Sequence, residues 1–338
     1  MKKCENCGGK IIFTPSLKGN LCQNCGSVFP VKYNYAFNKK DISKANYLEK
    51  DNFSQTLKSF KCKSCGATVM IDKTNPETSC PYCSESYLSP VAKKKLMYID
   101  SIIPFEIEKN KALSLFKSEL NKRFSVNKKV FAGVTEEDLK STYINAFVFD
   151  FYVTYNYEGE FEYQHKNSDG DTITRYKKVS GVYSHEFRNI TIEATSNLEQ
   201  KELLSVMPYN YTSAVDFHQD FMNGYMLEYQ DKILEKCTEK AENFVKKRVS
   251  QELLKKYNCD KVDSLSLNTV SKNVQYNYCL LPVYFVNKEY KDKKYRVIIN
   301  GQTGKVGNLP ISGWKVFLLI LLSFGIVGAI ILSIIFLS

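Results

Sequence analysis

The sequence predicts two small, duplicated β zinc ribbons, one α+β domain with a mainly antiparallel sheet, and a C-terminal transmembrane helix. Three observations support this fold class: two cysteine quartets near the N-terminus, alternating strand-like and helix-like patterns in the middle, and a final uncharged apolar run. At 338 residues the chain has room for one medium domain and small modules. A hydrophobic fraction of 43% is enough for a packed core.

The cysteine quartets are an internal duplication. Each holds two Cys-x-x-Cys motifs separated by fourteen residues, and the quartets are offset by 58 residues. Their members are Cys4, Cys7, Cys22 and Cys25, then Cys62, Cys65, Cys80 and Cys83. Four thiolates on two paired turns suit tetrahedral Zn²⁺. We therefore predict two structural zinc ions, one in a ribbon at 1–30 and one in a ribbon at 60–90.

Details of the quartets separate this prediction from its alternatives. A catalytic zinc keeps an open position and often uses histidine, whereas these quartets are closed and all-sulfur. A redox pair does not usually come as two matched quartets. Glycine follows the second cysteine in three of the four motifs, and Ser84 takes its place in the fourth, where we expect a local difference. The ribbon aromatics are interpreted as small cores: Phe13, Phe29, Tyr82 and Tyr87.

The segment 31–59 is rich in Asn, Lys, Tyr and Ser and shows no clear period. We predict a linker there, which would let the two ribbons move independently.

The region 96–310 has the pattern of a single α+β domain. Apolar residues at helical spacing predict a helix over Lys109–Phe124, and a second long helix is predicted around Gln230–Tyr257. The aromatic stretch Tyr143–Tyr163 predicts a long strand or strand pair. Such aromatic stripes are more typical of a core than of a ligand platform.

The same region carries no catalytic signature, so we predict that the protein is not an enzyme. Its three histidines lack metal-ligand spacing, and they are His165, His185 and His218. The stretch Gly301–Val306 has two residues between its glycines where a phosphate loop needs four, and it is better explained as a hairpin turn.

The C-terminal segment 314–337 predicts a membrane anchor. Val316–Leu337 is 22 residues long without a charge, which as a helix covers the roughly 30 Å hydrocarbon core. Trp314 and Lys315 stand before it and suit the membrane interface. Small residues at four-residue spacing would allow a second helix to pack closely, and these are Gly325, Ala329 and Ser333.

Two patterns predict which side of the membrane holds the bulk of the chain. The N-terminus starts no apolar run of signal-peptide length, and the basic residues near the anchor all precede it. Paired Cys-x-x-Cys motifs are typical of metal sites in a reducing compartment. We therefore predict a single-pass protein of the cell membrane with its N-terminal bulk in the cytoplasm.

The charge distribution does not discriminate between nucleic acid and a membrane as the partner of this protein. The net charge is +11, and residues 1–100 carry sixteen lysines, no arginine and eight acidic residues. This basic section can attract nucleic acid or an anionic membrane leaflet. Lysine lacks the bidentate fork with which arginine recognises guanine.

Several motifs together resemble those of a known family. These are the twin cysteine quartets, Ser101–Phe105 before a helix, Leu281–Tyr284, and Asn300–Lys305 before Leu309-Pro310. They resemble bacterial membrane-anchored double zinc-ribbon proteins, labelled as transcription-factor-IIB-type zinc-ribbon proteins. The chain departs from that pattern at Tyr284, where tryptophan is common, and at Ser84. The resemblance implies no catalytic residues, and some members of the family are linked to phage-shock and flotillin-like membrane-stress systems.

The function that we predict is a non-enzymatic, membrane-anchored cytoplasmic adaptor that recruits protein partners through its ribbons and its α+β domain. A membrane-tethered nucleic-acid-binding regulator is the first alternative, and a lipid or small-ligand sensor using the aromatic sheet is the second.

Overall fold

A computed structural model describes residues 3–45, 57–72, 80–83, 88–90, 97–124, 126–168 and 170–310. The predicted span 314–337 lies outside these residues, and so do Trp314, Lys315, Gly325, Ala329 and Ser333. The expected local difference at Ser84 also falls outside them. Of the helices in the described part, none combines the length and apolar character that membrane crossing requires.

The described chain contains three α-helices, fifteen strands and short 3-10 turns. The helices are α1 Lys109–Lys122, α2 Gln200–Val206 and α3 Leu234–Tyr257. The N-terminal strands are β1 Ile11–Thr14, β2 Gly19–Cys22, β3 Val28–Pro30, β4 Lys40–Asp41, β5 Leu57–Cys62, β6 Thr68–Asp72 and β7 Leu88–Pro90. The remaining strands are β8 Ser101–Ile102, β9 Leu139–Lys166, β10 Thr172–Glu193, β11 Val215–Asp216, β12 Met226–Glu228, β13 Lys261–Tyr290, β14 Lys293–Asn300 and β15 Val306–Gly307.

The domain is organised around the long strand β9. On one edge β9 pairs antiparallel with β13, and on the other it pairs antiparallel with β10 and, nearer its start, parallel with β12. Strand β14 turns back on β13, and β8 joins the far side of β13 in parallel. The mainly antiparallel sheet predicted from the sequence is therefore present, with two parallel pairings added to it.

Burial along β9 and β13 changes halfway, and this divides the sheet into two parts. Residues 141–151 and 276–286 are buried at every position, which requires cover on both faces of the sheet. Residues 151–158 alternate instead, with Val153, Tyr155 and Tyr157 buried and Asn156 and Glu158 exposed. That period of two is the pattern of a sheet covered on one face only.

The two faces of the buried half form two separate core layers. One contains Phe147 and Phe149 together with apolar residues of α1 and α3. The other contains Ala146 and Val148 together with residues of α2, such as Leu203. Adjacent residues of β9 enter different layers because successive side chains point to opposite faces of a strand.

Most of the described part of the predicted linker, residues 31–45, is packed against the domain, and its other described residues, 57–59, begin β5. Strand β4 pairs with β13, and the Lys39 ammonium lies 2.5 Å from a carboxylate oxygen of Asp150. Lys40 pairs with Asp100 at 2.7 Å, and the Asn277 amide donates to the Asn38 carbonyl at 2.9 Å. These residues therefore depart from the expected free linker, because their backbone and charges have partners on the sheet.

Candidate metal centres

The first cysteine group brings four sulfurs together on two turns. The ligand atoms of Cys4, Cys7, Cys22 and Cys25 all lie within 4.8 Å of one another. The Cys4–Cys25 and Cys7–Cys22 sulfur distances are 3.6 and 3.5 Å. Each turn closes through an amide of glycine that donates to the carbonyl of the first cysteine, from Gly8 to Cys4 and from Gly26 to Cys22. Both glycines have φ near +75°, a conformation that glycine adopts at little cost.

The second group repeats this geometry. The sulfurs of Cys62, Cys65, Cys80 and Cys83 also lie within 4.8 Å of one another. The Cys62–Cys83 distance is 3.5 Å and the Cys65–Cys80 distance is 3.6 Å. The Gly66 amide donates to the Cys62 carbonyl at 3.0 Å, as in the first group.

Both groups can hold a metal ion. A tetrahedral ion with sulfur ligands at about 2.3 Å would place those sulfurs roughly 3.8 Å apart, close to the shortest distances in each group. A set of four sulfur donors and no oxygen donors suits a soft or borderline ion. All eight cysteines predicted as ligands thus lie in two groups of four, each with the donor set that zinc favours.

The thiols within each group differ in acidity. Hydrogen bonds from the Ser27 side chain and backbone lower the pKa of Cys25 to about 6, whereas burial raises the pKa of Cys4 to about 11. In the second group the hydrogen bond with Cys80 lowers the pKa of Cys65 to about 5, and the same bond raises that of Cys80. Because a metal binds thiolates, loading either group would release protons from those cysteines that are still thiols, such as the buried Cys4 and Cys80.

The first group is fixed to the domain through β1. The Phe13 amide donates to the Asn223 carbonyl at 2.9 Å, and the Tyr225 hydroxyl donates to the Phe13 carbonyl at 3.1 Å. The buried amide of Asn223 donates to the Asn20 side chain at 2.9 Å. The rings of Phe13 and Phe221 meet edge to face at 5.1 Å. Ribbon 1 is thus held by these hydrogen bonds, by the Phe13 ring and by the side chain of Ile12, which packs closely on Gly224.

The second group is fixed through strand pairing and through its last cysteine turn. Strand β6 pairs with β12, and β5 and β7 continue the same sheet. The Tyr82 hydroxyl donates to the buried carboxyl of Glu228, and the Tyr82 ring lies 5.1 Å from that of Phe285. The guanidinium of Arg296 stacks over the Tyr82 ring at 5.0 Å. The Asn287 amide donates to the Pro81 carbonyl at 2.6 Å.

One short stretch of the domain therefore receives both ribbons, and we name residues 219–229 the docking segment. Its first part, the 3-10 turn Gln219–Met222 and the residues to Tyr225, contacts ribbon 1. Its second part, β12 and Tyr229, contacts ribbon 2. Sequence reasoning missed this segment. The nearest signal was its density of aromatic and methionine residues between the two predicted helices.

Two clefts border the ribbons in the described structure. One of about 370 Å³ lies between ribbon 1, segment 31–45 and the domain, and it is lined by Phe13, Tyr33, Tyr35, Phe105 and Phe221 among others. The other, of about 670 Å³, lies beside the turn of Cys83 and is lined by charged residues of both signs, including Lys201, Glu202 and Arg296. The three histidines lie on separate elements: His165 is in β9, His185 in β10, and His218 precedes the turn that begins the docking segment.

Fold and site together define a chain in which two four-cysteine metal-binding groups are docked on one α+β domain. It is similar to a protein of Bacillus subtilis (strain 168) named "Uncharacterized protein YdjG". The identity is 24% over 346 aligned positions, which cover 93% of this chain and 91% of that protein. No family model matches the chain, and no solved structure matches it.

Proposed function

We propose that the protein is a non-enzymatic adaptor that presents a fixed surface to protein partners. Its two metal-binding groups would hold structural zinc, and its C-terminal segment would anchor it in the cell membrane with its bulk in the cytoplasm. The observation that carries the proposal is the docking segment, which joins both ribbons to the domain. A molecule built this way holds three modules in one arrangement.

The location of the cysteines supports a structural role for the metal. Cys4 and Cys22 are 3% and 1% exposed, and Cys62 and Cys80 are 1% and 0% exposed. In each group four sulfur atoms lie within 4.8 Å of one another, which is enough to complete a tetrahedral site. Closed all-sulfur sites stabilise small folds and leave no position for a substrate. Zinc would thus contribute the folding energy that each ribbon's small core lacks.

The half of the sheet that is covered on one face only, which we name the outer half, supports partner binding. Over residues 172–187, β10 pairs with β9 on one side, and among the described residues no other strand pairs with it. Tyr176 and Val182 on this strand are 56% and 63% exposed. An exposed edge strand offers backbone groups to a strand of another protein, and its exposed side chains add specificity.

Quantitative crosslinking in cells, followed by purification of the full chain, tests the adaptor. We expect a defined set of proteins with the wild type and a clear loss of at least one of them with Tyr176→Glu/Val182→Glu. Leu204→Glu on α2, which is 41% exposed, is the control and should retain the whole set. If the wild type captures the same proteins as an empty purification, the adaptor function is wrong.

The aromatic cleft beside ribbon 1 favours the ligand-sensor alternative. Its volume of about 370 Å³ lies within the range of small-molecule sites. A shift in melting temperature caused by a bound apolar compound, and abolished by Tyr33→Ala, would favour the sensor over the adaptor. Nucleic-acid binding would show instead as affinity for DNA or RNA that falls steeply with salt.

A further inference from the structure

Helix α1 and the turn after it form a basic surface with one exposed aromatic ring. Residues 109–129 contain seven lysines or arginines and one acidic residue, for a net charge of +6. We name the C-terminal part of this surface the α1 basic face. It consists of Lys117, Lys122, Arg123, Phe124, Lys128 and Lys129, all of which are exposed. The ring of Phe124 is 59% exposed.

The single acidic residue does not cancel this charge. Glu119 lies 3.2 Å from the Lys122 ammonium and 3.4 Å from the Arg123 guanidinium. Both basic side chains remain more than half exposed, at 68% and 54%. The acidic turn Glu136–Asp138 lies beside α1 in the fold, and the Asp138 carboxylate pairs with Lys288 at 2.8 Å. With the three carboxylates of this turn included, the seven basic residues still outnumber the four acidic ones by three. The face therefore keeps a surplus of positive charge that solvent and ligands can reach.

The position of the α1 basic face links it to the predicted anchor. The Asn127 amide donates to the Pro310 carbonyl at 3.4 Å. Leu309 packs against the core layer that contains Phe147 and Phe149. Pro310 is six residues before Val316, where the predicted span starts. Six residues reach at most about 20 Å even when fully extended. A chain anchored by that span would therefore keep this face close to the bilayer.

We propose that the α1 basic face lies against the anionic headgroups of the membrane that holds the chain. This inference rests on the proposed membrane anchor. Clustered lysines beside a membrane segment are attracted to anionic lipid, and the attraction acts within a Debye length of about 8 Å. An aromatic ring such as Phe124, flanked by basic residues, fits the boundary between headgroups and acyl chains. Contact at this face would fix the orientation of the domain on the membrane.

The test places a fluorescent reporter on the face. The chain has one tryptophan, so the double variant Phe124→Trp/Trp314→Phe carries a single indole on the α1 basic face. The full-length variant is reconstituted into phosphatidylcholine vesicles, with or without phosphatidylglycerol, that contain a brominated lipid as quencher. We expect roughly threefold stronger quenching with phosphatidylglycerol, reversed by high salt.

Charge reversal provides the matched comparison. Adding Lys122→Glu/Arg123→Glu/Lys129→Glu should remove the effect of phosphatidylglycerol. The same change of charge on α3, Lys246→Glu/Lys247→Glu/Arg248→Glu, alters three exposed residues of a helix that packs on β9, β10 and β13. That control should leave the quenching as it was.

Flotation of the vesicles separates this inference from the proposed anchor. If the protein floats with both kinds of vesicle but the quenching ignores phosphatidylglycerol, the α1 basic face is not a lipid surface and the anchor stands. If the protein floats with neither, both proposals are wrong. If duplex DNA binds and the first charge reversal abolishes that binding without any lipid effect, the face serves nucleic acid and our inference is overturned.

Discussion

The two ribbons share a cysteine pattern but differ in how deeply they belong to the domain. The buried thiols of ribbon 1, Cys4 and Cys22, pack with Ile11 and Phe29 in a small cluster of their own. The buried thiols of ribbon 2, Cys62 and Cys80, pack in the same layer as Ile144 and Phe285 of the domain. Ribbon 1 also has its own three-stranded sheet, whereas the strands of ribbon 2 extend the large sheet.

This difference indicates that two duplicated metal sites can contribute unequally to the stability of the domain. Removing the metal from ribbon 1 should disturb mainly the small cluster. Removing it from ribbon 2 should also expose part of a core layer and an edge of the large sheet. Local cysteine geometry is nearly identical at the two sites, so the surroundings of each site must account for any difference in behaviour.

The largest expected effect comes from removing the buried ligands of each group in turn. We expect Cys62→Ser/Cys80→Ser to lower the free energy of unfolding of the α+β domain by about 4 kcal/mol or more. The equivalent change in ribbon 1, Cys4→Ser/Cys22→Ser, should leave most of the domain's stability in place. Hydrogen exchange of β9 and β12 measures the loss of domain stability in both variants. Metal analysis should show that each variant has lost one ion. Equal destabilisation by the two pairs would contradict the comparison.

A smaller effect is expected from forcing ribbon 1 off the docking segment. Gly224 has φ +86°, and a Cβ there would lie 2.6 Å from Cγ2 of Ile12. Gly224→Ala therefore combines backbone strain with a clash, and we expect a cost of about 2–4 kcal/mol. Gly133→Ala is the control, because Gly133 also has a positive φ, +76°, but a Cβ there would have no other atom within 4 Å. Backbone strain alone should therefore cost about 1–2 kcal/mol.

Limited proteolysis and hydrogen exchange of residues 11–22 distinguish these outcomes. Gly224→Ala should expose ribbon 1 while both metal ions stay bound. If Gly133→Ala exposes ribbon 1 equally, the contact between Gly224 and Ile12 does not hold it in place.

Removing one hydroxyl at each docking site compares the two contacts directly. Tyr82→Phe takes away the donor to the Glu228 carboxyl, whose other oxygen is buried without a hydrogen-bond partner among the described residues. We expect a cost of about 1–3 kcal/mol, since a buried polar group loses its partner. Tyr225→Phe removes a donor to a backbone carbonyl of ribbon 1, and should cost about 1 kcal/mol. Chemical denaturation of the zinc-loaded protein measures both, and a larger cost for Tyr225→Phe would reverse the ranking.

The parts of this molecule that are local in sequence could be predicted from it. The cysteine groups follow from two short spacings, and the helix predicted over Lys109–Phe124 is present as Lys109–Lys122. The long helix predicted from about Gln230 begins at Leu234 and ends at Tyr257, as expected. Each depends on residues within a few turns of one another, where periodicity carries the information.

The docking contacts could not be predicted in the same way. Phe13 meets a segment about two hundred positions away, and the Tyr82–Glu228 hydrogen bond joins residues 146 positions apart. Such contacts depend on the arrangement of the whole sheet, which no local pattern records. The same reason explains why the packing of segment 31–45 was not predicted. Lys39 donates hydrogen bonds to Asp150 and Asn189, and both of these partners lie on strands far away in the sequence. The polar composition of this segment suggested a linker, because composition indicates that a segment is compatible with solvent but does not show whether it pairs with the sheet.

The smallest expected effect is a dependence on pH that should distinguish ribbon 2 from ribbon 1. Burial raises the pKa of Glu228 well above its usual value, so the folded protein favours the neutral carboxyl. A raised folded pKa gives stability that is present at low pH and is lost as the pH rises through that pKa. At ribbon 1 the corresponding polar contact joins the amides of Asn20 and Asn223, which do not titrate.

Glu228→Gln keeps an acceptor for Tyr82 and removes the titration. Between about pH 6 and 9, where metal-bound thiolates persist, we expect the variant to gain stability over the wild type as the pH rises. Glu186→Gln is the control, because Arg188 lowers the pKa of Glu186 and a lowered pKa gives stability that is lost only at acidic pH. Its difference in stability from the wild type should therefore stay constant between about pH 6 and 9. Hydrogen exchange localises the effect. Residues 60–70 of the wild type should lose protection with rising pH more steeply than those of Glu228→Gln, after correction for intrinsic exchange, while residues 11–22 behave alike in both proteins. An equal pH dependence at the two ribbons would show that Glu228 does not control the docking of ribbon 2.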